Sequence, residues 1–176
     1  ETGSSLPDIL LLPQLASYFD ISIDELIGYQ PQMEQEDIKE LYIRLSKDFS
    51  MLSFEEVLAE CLKIAKKFYA CYPLLFELGT LLINHTSQAS SPEQVEQIME
   101  KALEWFHRVR TEADETNLQK EALLMEAFCL LQLQRPSEVI DILEPVNMQP
   151  GSPEPLLASA YRAIGNDQEA KKILQV

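Results

Sequence analysis

Glu104 and His107 stand at the Glu-x-x-His spacing that places two metal ligands on one face of a helix in di-iron helical bundles. A centre of that kind needs a second such motif and two more glutamates. The only other histidine, His85, has Leu82 three residues before it rather than a glutamate, so no metal site is expected. Cys61, Cys71 and Cys129 are odd in number, widely spaced and set in apolar runs. That is the pattern of reduced core thiols rather than of a disulfide frame or a zinc site, and it points to a cytoplasmic location. Lys63 and Lys66 are the cations near enough in sequence to Cys61 to bear on its thiol. With five glycines in 176 residues there is little material for a loop that cradles a phosphate, and no nucleophile elbow or base-nucleophile spacing is found. The chain is therefore expected not to be an enzyme and to carry no cofactor. Asn84-His85-Thr86 fits a glycosylation sequon, but without a signal peptide or paired cysteines it is not expected to be used.

Two carboxylates remain, each alone in an apolar stretch. The helix expected over 73–86 is apolar nearly all round with Glu77 its only charge, and the run 122–133 has only Glu126. A helix apolar on every side is covered on more than one side, and a lone carboxylate in it must face water or a cation.

The elements that would position these residues follow from periodicity and punctuation. Leu12, Leu15, Ala16 and Phe19 share one helix face. Asp20-Ile21 then breaks the pattern, Ser22 and Glu25 form a capping box, and Gly28 ends the second short helix. Pro31 marks a linker. Helices are expected over 34–49, from the Ser53/Glu56 capping box to about Cys71, from Pro73 to about Thr86, and from the Ser91-Pro92-Gln94 start to about Thr111. Others are expected over 117–134, 137–143, 154–164 and 167–175.

Acidic residues outnumber basic ones by 29 to 14, a formal charge of −15, and the pI is near 4.4. This argues against nucleic acid or an anionic membrane as a partner of this segment. No apolar run is long enough to span a bilayer.

Glu1, Gly3, Pro7, Asp8, Leu12, Leu15, Ala16, Phe19, Ile21, Ser22, Asp24, Glu25, Leu26 and Gly28 follow the order E-x-G-x-x-x-P-D…L-x-x-L-A-x-x-F-x-[IV]-S-x-D-E-L-x-G. In this order they resemble the final two helices of the Cro/C1-type (XRE family) helix-turn-helix domain of bacterial transcriptional regulators. The resemblance covers residues 1–28 and implies that the recognition helix lies upstream of this chain. The chain carries no Lys or Arg before Lys39. Because DNA affinity scales with the phosphates that cations neutralise, DNA would be bound only through the missing N-terminal helices.

Tyr161, Gly165, Ala170 and Leu174 stand at the spacing Y-x3-G-x4-A-x3-[FL] of the tetratricopeptide (TPR) repeat, and Val139 and Leu143 precede the last two by 31 residues, against about 34 in the family. The expected fold is all-α: a TPR-like α-solenoid of about seven helices over 33–176, a sensor and dimerisation domain, preceded by the two helix-turn-helix remnant helices of 1–29. In TPR arrays the first helix of each hairpin lines the concave face. This resemblance puts Glu77, Asn84 and Glu126 in a groove suited to a peptide or protein ligand, the carboxylates for an amino terminus or basic side chain and the amide for backbone. The outward-facing alternative for both glutamates stays open. Ile173, Leu174 and Val176 close the chain without a capping helix after them, so they are expected to meet a second subunit in a homodimer. The whole reads as the ligand-sensing and dimerisation part of a regulator, of which the peptide-pheromone receptors of Gram-positive bacteria are one kind. The alternative is a passive TPR-like docking scaffold without a small ligand; an irregular helical bundle is the plainer fold.

Overall fold

The computed structural model describes residues 8–29, 31–145 and 153–174. Among these residues all regular structure is helical. The α-helices are α1 (Leu12–Phe19), α2 (Ile23–Ile27), α3 (Gln35–Asp48), α4 (Phe54–Lys67), α5 (Tyr72–Asn84), α6 (Pro92–Glu112), α7 (Thr116–Gln132), α8 (Pro136–Leu143), α9 (Glu154–Ala163) and α10 (Asp167–Ile173). Among the described residues beyond the linker there are thus eight, one for each helical stretch expected there. Glu1, Gly3, Pro7 and Val176, which entered the sequence reading, lie outside the described residues.

Local chemistry sets most of the boundaries. The Ser22 hydroxyl accepts from the Glu25 amide at 3.1 Å while the Ser22 amide donates to the Glu25 carboxylate at 2.7 Å. Ser53 and Glu56 repeat this reciprocal cap on α4. At α6 the Ser91 hydroxyl caps the Gln94 amide, but the Gln94 side chain reaches back one residue further, to the Ser90 amide at 2.6 Å. Gly28 and Gly165 take φ of 66° and 82° just past α2 and α9, where a residue with a Cβ would be strained. The structure shortens one expectation: α4 ends at Lys67, not near Cys71, because Phe68 leaves helical geometry at φ −110°, ψ 46°.

From α4 onward each helix packs on its neighbour in the chain, and α3 also packs on α5, α5 on α7 and α7 on α9. As expected of helices apolar all round, α5 buries Leu74, Leu75, Leu78, Gly79, Leu81 and Leu82, and α7 buries residues from Ala122 to Leu130. One apolar cluster joins α3 to α6 and a second joins α7 to α10, while Met99, Ala102, Phe106 and Cys129 bridge α6 and α7. A Cβ built on Gly79 would lie 2.8 Å from the tip of the Phe106 ring, so only glycine lets α5 and α6 approach this closely. Residues 8–29 differ in kind: of their side chains only Ala16 is buried, and large apolar groups such as Tyr18 and Phe19 face outward. The Tyr69 hydroxyl, two residues past the end of α4, donates to the Tyr29 carbonyl at 3.1 Å.

Candidate functional site

The N-terminal two turns of α3, α5 and α7 converge on a cleft of about 230 Å³. Ile38, Pro73, Phe76 and Leu118 form its apolar walls, and Gln35, Lys39, Glu77, Glu115, Asn117 and Glu121 supply its polar groups. Pro73 belongs here for a local reason, since its missing N–H costs nothing in a first helical turn. Glu77 is half-buried and makes no hydrogen bond or ion pair among the described residues. Burial, and secondly the nearby Glu121 carboxylate, raise its pKa above the usual carboxylate value. The one cation, Lys39, stands 3.1 Å from Glu36, outside the pocket. What such a lining can hold is a cation on an aliphatic stem: carboxylates for the charge, apolar walls for the stem.

The other two residues expected beside Glu77 are elsewhere. Asn84 projects from the same side of α5 but seven residues on, a rise of about 10 Å. There it is exposed and donates to the Tyr42 hydroxyl at 3.2 Å. Glu126 lies about 140° around α7 from Glu121 and about 180° from Asn117, at ~100° per residue. It is neither in the pocket nor facing solvent. Its carboxylate is buried against α6, where the Arg110 guanidinium donates through Nε at 2.5 Å and Nη2 at 3.2 Å and His107 Nδ1 lies at 3.0 Å. The cation this lone carboxylate needed is supplied by the chain itself.

Gln35, Lys39, Glu115 and Glu121 were not singled out in the sequence. Their common position at the N-terminal ends of α3 and α7, which flank that of α5, is the signal that would have found them.

Glu104 pairs with Lys101 rather than with His107, and no cluster of three or more metal-ligating side chains exists among the described residues. All three cysteines are free and buried, and burial pushes the Cys61 and Cys129 thiols up to about 12, far from a nucleophile's range. Ile173 is half-buried against the C-terminal apolar cluster, and Leu174 is 49% exposed. No helix among the described residues is long and apolar enough to cross a membrane.

No family model matches this sequence, and neither a curated protein nor a solved structure matches it.

Proposed function

We propose that this chain is the ligand-sensing and dimerisation part of a bacterial transcriptional regulator, and that it binds a peptide or protein through a cationic group seated at Glu77. The observation that carries the reading is the pocket itself: an unpaired, half-buried carboxylate among apolar walls, where the N-terminal ends of three helices meet. A TPR-like arrangement accounts for it, because parallel first helices of successive hairpins present their like ends side by side. Three packing features support that arrangement. Alternate helices touch from α3 to α9; Gly79 admits Phe106 within the α5–α6 hairpin; and Tyr161 and Ala170 are buried together across the Gly165 turn of the α9–α10 hairpin. The regulator assignment rests on the residue pattern of 1–28. The exposed apolar side chains of 8–29 agree with a segment that belongs to a larger domain.

Thermal shift of the chain with peptides bearing a free amino terminus or a lysine tests the pocket, since only a ligand of the folded state raises stability. Glu77→Gln is expected to weaken binding by about 1–3 kcal/mol. The same substitution is expected to raise the melting temperature of the unliganded chain at neutral pH. A carboxylate whose pKa is raised on folding binds more protons in the native state, so stability falls as pH climbs from the ordinary carboxylate range through the raised value. Removing the charge removes that loss, and the gain vanishes in acid. Unaltered affinity in Glu77→Gln would leave the docking-scaffold reading, which the exposed Ile164 and Leu174 at the C-terminal end favour.

Dimerisation through that end is tested better at Leu174 than at Ile173, whose side chain also packs inward. Leu174→Glu is expected to turn a sedimenting dimer into a monomer with the melting temperature of dilute protein unchanged. A wild-type monomer at high protein concentration would refute the dimer.

A further inference from the structure

A second cleft, of about 190 Å³, opens between α4 and α6 and shares no residue with the Glu77 pocket. Its charge runs against the rest of the molecule. In a chain with 29 acids and 14 bases, three cations and a single acid line it. Lys101 is held 2.5 Å from that acid, Glu104, and Arg108 lies 3.0 Å from Glu112 outside the cleft. Lys66 is exposed and forms no ion pair among the described residues, so it is the cation with its charge to spare. Leu75 and Trp105, both buried, give it an apolar floor, and the exposed Leu62 adds a further apolar group to the lining.

We propose that this cleft binds a carboxylate carried on an apolar body, of the kind a peptide ending in an apolar residue presents at its C-terminus. Lys66 makes the unshared contact, and Lys101 and Arg108 add donors from one side. The floor takes the apolar body, which an inorganic anion lacks. The inference does not depend on the function assigned to Glu77.

Trp105 is the only tryptophan in the chain and lines the cleft, so the emission comes from this one position. The chain is titrated with N-acetyl-Ala-Phe bearing a free carboxylate, with its C-terminal amide, and with 4-phenylbutyrate. The free acid is expected to shift the emission, and the amide to bind about 10-fold more weakly or worse, the factor of one charge-assisted hydrogen bond. Tighter binding of the dipeptide acid assigns the site to peptide ends, and tighter binding of phenylbutyrate to small carboxylic acids. Lys66→Gln is expected to weaken the acid by a similar factor with its circular dichroism unchanged, while Lys47→Gln, an exposed lysine on α3, leaves it alone. Equal response to acid and amide would overturn the proposal. So would a Lys66→Gln chain that binds as wild type, which reduces Lys66 to a partner of the α4 C-terminus, or an equal loss in Lys47→Gln, which reduces the effect to bulk charge.

Discussion

Arg110→Ala is expected to destabilise the fold by about 3–5 kcal/mol, because it strips a buried carboxylate of its cation. The Glu126 side chain is 5% exposed, and both of its oxygens are engaged by Arg110. His107, at 56% exposure, is the one partner left. The reverse deletion is expected to cost less. In Glu126→Ala the guanidinium, 28% exposed, can turn its donors to water, so about 1–3 kcal/mol is the expected loss. The double change to Arg110→Met and Glu126→Leu is expected to recover most of the stability, since well-packed apolar groups often replace a buried ion pair without penalty. Urea melts of the four chains check this. Equal costs for the two single changes, or a double variant as weak as Arg110→Ala, would show that the pair does not act as described.

Gly79→Val is expected to cost about 3 kcal/mol or more, at the upper end for overpacking a core. Even the single methyl of Gly79→Ala meets Phe106 at 2.8 Å. That ring is fully buried and held edge-to-face by Phe76, with centroids 5.5 Å apart, so it has little room to retreat. Alanine gains about 1 kcal/mol in helix propensity over glycine. Against about 1–3 kcal/mol of overpacking this leaves Gly79→Ala near neutral to moderately destabilised. Phe106→Leu, placed in the Gly79→Ala background, is expected to relieve the contact and cost less there than in the wild-type chain. A Gly79→Val chain that melts with the wild type would mean that α5 and α6 do not meet at this glycine.

Why the helices were legible and the site only partly so follows from range. Capping boxes at Ser22 and Ser53, the proline starts of α5 and α6 and the apolar stripes are all encoded within a few residues, and the structure keeps them. The end of α4 was missed because Phe68 continues the apolar stripe while its backbone turns away. Glu77 and Glu126 read alike in sequence, each the sole charge of an apolar run. What separates them is the phase of each helix against its neighbour, which puts Glu126 opposite Arg110, 16 residues earlier, and leaves Glu77 in a cleft whose one cation, Lys39, pairs with Glu36 instead. The carboxylate neighbours of Glu77 come from α7, about 40 residues away, and only the stacking of α3, α5 and α7 brings them together. That stacking is carried by apolar volume, the buried cluster that joins Ile38 of α3, Leu78 of α5 and Ala122 of α7, which no local pattern states.

Packing each helix on its chain neighbour also governs how the molecule reaches its native state. Contacts between adjacent helices close short loops, whose entropy cost is small, so folding is expected on the fast side for a chain of this length. The nucleus has a natural place in α5, α6 and α7, where the buried clusters meet around Phe106. Structure can then grow outward in both directions, one helix at a time. Residues 8–29, with two short helices and a single buried side chain, would be ordered last and lost first.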